Sequence, residues 1–173
     1  MKVILIRHGE PRYDEVLKRN YRVIRNDLGR LTALGVKQAE TVSLDERLKG
    51  ATLIVSSPYT RSLQTAAIIS RLTNIPLTVE NDLHEWIPDY NFSHPDMVDT
   101  AYHDFMKHRG VSYPEKKVDW ESLESLETRT KNAIRPYLEH EKIIVVCHGM
   151  VMRALVDFDL HVDYCGIQEI EIF

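Results

Sequence analysis

Two histidines, two arginines and a glutamate stand where short apolar runs of this sequence end, and side chains of these types can together handle a phosphoryl group. Arg7-His8-Gly9-Glu10 follows the run Lys2–Ile6, and Ser57-Pro58 with Arg61 follows Thr52–Ser56. His84-Glu85 lies beyond Pro76–Val79, and His148-Gly149 beyond Lys142–Cys147. Phosphate monoesters are among the slowest-hydrolysing substrates, so a catalyst must combine several effects. Two arginines can bind phosphoryl oxygens through forked hydrogen bonds, and a helix beginning near Pro58 would add backbone donors and a positive dipole end. A neutral imidazole is a nucleophile when its second nitrogen is held as a donor, and a carboxylic acid can protonate the leaving oxygen. No metal is required. Each residue taken alone has a plainer reading: a structural histidine, a solvated arginine, a surface glutamate, and Ser57 as a helix N-cap before a proline at the first helical position. Their joint placement at successive strand ends is what points to chemistry.

The elements that must position them follow from apolar patterning. The four runs rich in Val, Ile and Leu alternate with segments of helical periodicity at Thr32–Lys49, Pro58–Thr73, Glu121–Glu139 and Met150–Phe158, and a last strand is expected at about Ile167–Ile172. Strands alternating with helices predict an α/β fold, a three-layer sandwich with a mostly parallel central sheet flanked by helices. Pro136 should bend or interrupt the third helix. Ligands of such sheets bind beyond the carboxyl ends of the strands, where the five residues fall. The least regular stretch, Asp82–Asp119, has many aromatic residues and a helix expected near Pro95–His108. Two readings stay open for 82–119: a lid or pocket wall over the site, or a surface excursion packed by its own aromatics.

Composition narrows the class. At 173 residues the chain suits one domain, 1–173, because separate cores become usual above roughly 250–300 residues. A formal net charge of −4 disfavours nucleic acid and anionic membrane as partners. The apolar run before Arg7 has only four residues, too short for a signal-peptide core or a membrane span, so the expected location is cytoplasmic. Cys147 and Cys165 form no disulfide framework and are expected to be reduced and buried. The eight histidines show no metal-ligand spacing, and neither a metal nor another cofactor is expected.

The ordered set Arg7-His8-Gly9-Glu10, Leu31-Thr32, Gly35, Gln38-Ala39, Ser56-Ser57-Pro58-Tyr59-Thr60-Arg61, Gln64-Thr65-Ala66, Leu83-His84-Glu85 and Val145-Val146-Cys147-His148-Gly149 resembles the histidine phosphatase superfamily, which includes the cofactor-dependent phosphoglycerate mutases. The resemblance covers nearly the full chain. It implies that His8 is the phosphorylated nucleophile, that Arg7, Arg61 and His148 form the phosphate pocket, and that Glu85 is the proton donor. It implies a positioning role for Glu10. Two segments depart from the family pattern. Pro11-Arg12-Tyr13-Asp14 replaces a Thr or Ser followed by a phosphate-binding asparagine, leaving Arg12 or Tyr13 as candidate substitutes, and Trp86-Ile87-Pro88-Asp89-Tyr90 replaces a Trp-Glu-Gly continuation.

The expected activity is metal-independent hydrolysis of a small phosphate monoester through phosphohistidine, that of a histidine acid phosphatase-type phosphomonoesterase. Phosphoglycerate mutase-type transfer and a non-catalytic phosphoryl-binding regulatory module are the alternatives. Retention of both histidines, both arginines and Glu85 argues against the binding module. A hydrolase built on Cys147 beside His148 is disfavoured because neighbouring strand residues point to opposite faces.

Overall fold

The computed structural model describes residues 1–19, 21 and 26–173. Five strands, β1 (Lys2–Arg7), β2 (Ile54–Ser56), β3 (Leu77–Val79), β4 (Lys142–Cys147) and β5 (Ile167–Glu171), form one sheet in the order β3-β2-β4-β1-β5. The first four are mutually parallel where they pair, and β5 joins the edge antiparallel to β1. The predicted α/β class and mostly parallel sheet are therefore observed.

Strand alternation builds two cores. Val3, Leu5, Val55, Ile143 and Val145 face one layer, while Ile4, Ile6, Ile54, Ile144 and Val146 face the other. Successive side chains point to opposite faces, so runs apolar at every position must be covered on both sides. Helices α2 (Ala33–Val42) and α3 (Thr60–Thr73) cover the second face through Val42, Ala66 and Ile69. Helices α4 (Val98–Lys107), α5 (Leu123–Ile134) and α6 (Gly149–Leu155) cover the first through Phe105, Leu126, Ile134 and Val151. A short helix, α1 (Asp14–Lys18), precedes them in the chain.

Boundaries differ from expectation where side chains compete for the backbone. The helix expected over 32–49 stops at Val42, where the Ser43 hydroxyl donates back to Ala39 O at 2.7 Å, and a separate 3-10 turn at Glu46–Leu48 is capped by Asp45. The helix expected from Pro58 starts at Thr60, so Ser57 is not its N-cap. The expected interruption at Pro136 is real: α5 ends at Ile134 and a 3-10 turn spans Arg135–Tyr137.

The 82–119 segment contributes residues both to the core and to a cleft. Its aromatics Trp86 and Phe105, with Trp120 just beyond, are buried in the core, and Asp104 receives hydrogen bonds from the Trp120 indole at 2.9 Å and from the Tyr113 hydroxyl. The same segment also lines the cleft described below. The expected helix there appears as a 3-10 turn at Pro95–Met97 continuing into α4.

Candidate active site

Sheet order brings the key residues together. Because β4 lies between β1 and β2, three strand ends become neighbours: His8 N donates to Cys147 O at 3.0 Å, and Ser57 N to Val146 O at 3.0 Å. The rings of His8 and His148 approach edge to face at 5.2 Å. The Arg61 guanidinium reaches them from the first turn of α3.

The tautomer of His8 follows from its two neighbours. Its Nδ1 lies 2.8 Å from Gly9 O, which can only accept, so Nδ1 carries the proton. Its Nε2 accepts from Arg61 Nε at 3.1 Å and therefore presents a lone pair. Burial, reinforced by the positive charges of Arg61 and Arg7, lowers its pKa to about 3 against the opposing Gly9 hydrogen bond. At neutral pH His8 is an oriented, uncharged imidazole.

His148 has the complementary arrangement. Its Nε2 is 2.7 Å from Ser57 Oγ, and that oxygen also accepts a bond from Tyr59 N at 3.3 Å. The Ser57 hydroxyl hydrogen is best satisfied on Nε2, which leaves the proton on His148 Nδ1. Nδ1 and Arg7 Nε are buried polar atoms without a hydrogen-bond partner among the described residues. Such groups are costly to leave unpaired in an apolar interior, and two of them beside His8 suit an anion. Burial, then Arg61, lowers the His148 pKa well below its usual value. Arg7 is fixed by donation from Nη1 to Val162 O at 2.6 Å and by the Tyr164 ring 4.3 Å away. The sequence reading gave Ser57 no role at the site and did not single out Tyr164. Ser57 carried a helix-cap signal, and Tyr164 sits in a turn with no local pattern.

Glu85 is held at the other side. Its Oε1 accepts from Trp86 N at 2.9 Å, and its carboxyl also accepts from Met150 N. Burial nevertheless raises its pKa, outweighing those bonds and the attraction of Arg61 and Arg7. The backbone around it is pinned by Arg129, which donates to the carbonyls of Asp82, His84 and Glu85. Arg129 in turn pairs with both oxygens of Glu121 at 2.6 and 2.9 Å. The side chains of this pair are only 14% and 1% exposed. Arg129→Met should therefore cost roughly 3–5 kcal/mol by stranding the Glu121 charge. Replacing both by Leu and Met should recover only part of that stability, because Ile87 N and the three carbonyls still lack their partners, and should not recover the catalytic rate. Denaturant midpoints and single-turnover rates on the same samples check both parts.

The other motif residues brace the loop that carries His8. Thr65 Oγ1 accepts from Gly9 N at 3.0 Å, Gln38 Oε1 from Glu10 N at 2.8 Å, and Gln64 Oε1 from Leu31 N at 2.9 Å. The Glu10 carboxylate accepts from the Thr32 hydroxyl at 2.5 Å, which suits the positioning role expected of it. A side chain on Gly9 would come within 2.6 Å of Gly35 O, so close passage of the two backbones demands glycine there. Of the substitutes considered for the missing asparagine, Arg12 is turned outward to Asp14 at 2.9 and 2.7 Å, whereas Tyr13 lines the cleft.

Cys147 packs fully buried in the core, where desolvation raises its thiol pKa strongly. Cys165 departs from the expected burial, being half-buried with a φ of 57°. No group of three or more His, Cys, Asp or Glu side chains is placed to hold a metal among the described residues. Among them, no helix is long and apolar enough to cross a membrane.

A cleft of about 620 Å³ opens beside this cluster, reaching Arg61 and Glu85 and bounded on its far side by 86–98. Its size is that of a small-molecule site.

A Hydrogenobacter thermophilus protein named "Putative phosphoserine phosphatase 2" is 27% identical over 99% of this chain and 89% of its own. A Proteus mirabilis protein named "Probable phosphoglycerate mutase GpmB" is 27% identical over 90% of this chain and 73% of its own. Among solved structures, a mycobacterial glucosyl-3-phosphoglycerate phosphatase superposes with a TM-score of 0.72 at 18% identity, covering 97% of this chain and 90% of that one. These phosphatase-named relatives support an enzyme. The sequence profile of the histidine phosphatase superfamily (branch 1) matches residues 3–172, and the chain belongs to that family.

Proposed function

We propose that the protein hydrolyses a small phosphate monoester through a phosphohistidine on His8. The observation that carries this reading is the His8 geometry, with Nδ1 at hydrogen-bond distance from Gly9 O and an unprotonated Nε2 that accepts from Arg61 Nε. In the first step the Nε2 lone pair forms the P–N bond as the P–O bond to the alcohol breaks. The leaving oxygen takes the Glu85 proton, while Arg7, Arg61 and His148 Nδ1–H receive the phosphoryl oxygens. In the second step Glu85, now a carboxylate, accepts a proton from water as its oxygen attacks phosphorus. The P–N bond returns its electrons to His8 and inorganic phosphate leaves. In mutase-type transfer, a second substrate hydroxyl would replace water.

Brief reaction with a ³²P-labelled alkyl phosphate, followed by rapid quenching, should trap acid-labile label on His8. Turnover should persist in EDTA and release inorganic phosphate. Label retained in an isomeric ester would favour the mutase, and absence of labelled His8 would remove the mechanism.

The pKa shifts fix the direction of the pH dependence. Glu85 must be protonated to donate, so His8 phosphorylation should slow as pH rises through its raised pKa. His8 must be neutral to attack, so its own titration should impose no acid limb until pH approaches about 3. Single-turnover rates corrected for substrate ionisation should show the alkaline fall in wild type and lose it in Glu85→Gln.

A further inference from the structure

The cleft beside the phosphoryl pocket carries chemistry that selects the alcohol half of the ester, given the phosphatase reading above. Phe92 is 62% exposed and stands on that cleft with a φ of 51°, in the left-handed region that costs an aromatic residue energy. The loop presenting it is built rather than loose. Asp89, 6% exposed, accepts from the backbone N–H groups of Asn91, Ser93 and His94 at 3.0, 2.8 and 2.8 Å, and its carbonyl accepts from Phe92 N at 3.3 Å. A buried carboxylate thus holds a strained turn whose product is an exposed aromatic ring. Strain maintained in this way is a mark of function. The same cleft offers the rings of Tyr59 and His84, stacked at 6.1 Å, and the apolar surfaces of Pro88 and Val98.

Its charges oppose a second anion. Asp27 and the Asp89 carboxylate line it, and Asp27, whose pKa burial raises, is hydrogen-bonded to Tyr59. Among the described residues Arg61 is the one Lys or Arg in the lining, and it is already directed to His8 and to Asn26 O at 2.9 Å. Burial lowers the His84 pKa, favouring its neutral form, and His94 Nδ1 lies 3.5 Å from the Asp89 carboxylate.

We propose that this cleft selects phosphate monoesters of uncharged alcohols with a flat aromatic or otherwise apolar body, using Phe92 and the Tyr59–His84 pair as contact surfaces, and disfavours phosphorylated carboxylic acids. The substrate class therefore differs from the phosphoserine and phosphoglycerate named for two relatives.

Four primary or sugar-like alkyl esters test it by kcat/KM: 2-phenylethyl phosphate, glycerol 3-phosphate, O-phosphoserine and 3-phosphoglycerate. The phenylethyl ester should exceed glycerol 3-phosphate by at least about tenfold, within the range that apolar pockets achieve. The two acids should fall below glycerol 3-phosphate. Phe92→Ala should move the phenylethyl-to-glycerol ratio towards one, and Asp27→Asn should raise 3-phosphoglycerate relative to glycerol 3-phosphate. Either acid equalling the phenylethyl ester, or a ratio unchanged in Phe92→Ala, overturns the substrate class while hydrolysis itself stands. If none of the esters reacts and no phosphohistidine is trapped, the phosphatase reading falls and takes this inference with it.

Discussion

His8→Ala is expected to lower turnover of an alkyl phosphate by at least about 10⁴-fold, the order lost when a covalent nucleophile is removed. No neighbour is equipped to replace it. His148 Nε2 is occupied by Ser57 and its Nδ1 carries the proton on the tautomer argued above, so it has no lone pair to offer phosphorus. Cys147 is sealed in the core. The remaining arginines would still bind phosphate, so vanadate or inorganic phosphate should still protect the variant against thermal unfolding. That retained binding separates a lost nucleophile from a lost fold. Residual turnover above about one per cent, in protein freed of contaminating phosphatase, would show that phosphoryl transfer goes directly to water or through another residue.

Glu85→Gln should slow His8 phosphorylation by a glycerol or phenylethyl ester by roughly 10²–10⁴-fold, the usual contribution of a general acid. The same variant should be affected far less with p-nitrophenyl phosphate, because nitrophenolate leaves without a proton whereas an alkoxide does not. Glutamine keeps the carbonyl that accepts from Trp86 N but has no acidic proton. Single-turnover phosphorylation is the quantity to compare, since in the proposed mechanism Glu85 would also serve the later attack of water, and that step would limit steady-state turnover for both substrates alike. Equal losses on the two leaving groups would reduce Glu85 to an electrostatic or positioning role and send the search for an acid elsewhere along 82–119.

The strands were legible because β1 and β4 carry unbroken apolar runs, Val3–Ile6 and Ile143–Cys147, which only a sheet covered on both faces accommodates. Helix ends were less legible. Ser43 and Ser57 make bonds whose partners, Ala39 O and His148 Nε2, depend on geometry that periodicity does not encode. Arg129 and Glu121 illustrate a harder case. Glu121 just before α5 and Arg129 in its middle carry no local pattern that marks them, yet Arg129 turns towards the carbonyls of Asp82, His84 and Glu85, and Glu121 is buried beneath Trp86 and Ile87.

By itself the sequence determined the α/β class, the family, and the candidate set Arg7, His8, Arg61, Glu85 and His148, because strand periodicity and an ordered series of short motifs are local properties. Only the tertiary structure decided how those residues serve one another. Placing β4 between β1 and β2 puts His8, His148 and Ser57 in one cluster. The histidine tautomers then follow from which atoms meet at hydrogen-bond distance, Gly9 O for one ring and the Ser57 hydroxyl for the other. The leaving-group cleft is likewise tertiary, since Tyr59, Asp27 and Phe92 come from three distant segments and meet only when 86–98 folds across the strand ends. Proton positions and pocket shape depend on contacts between residues far apart in the chain, and a linear reading carries the residue types without those distances.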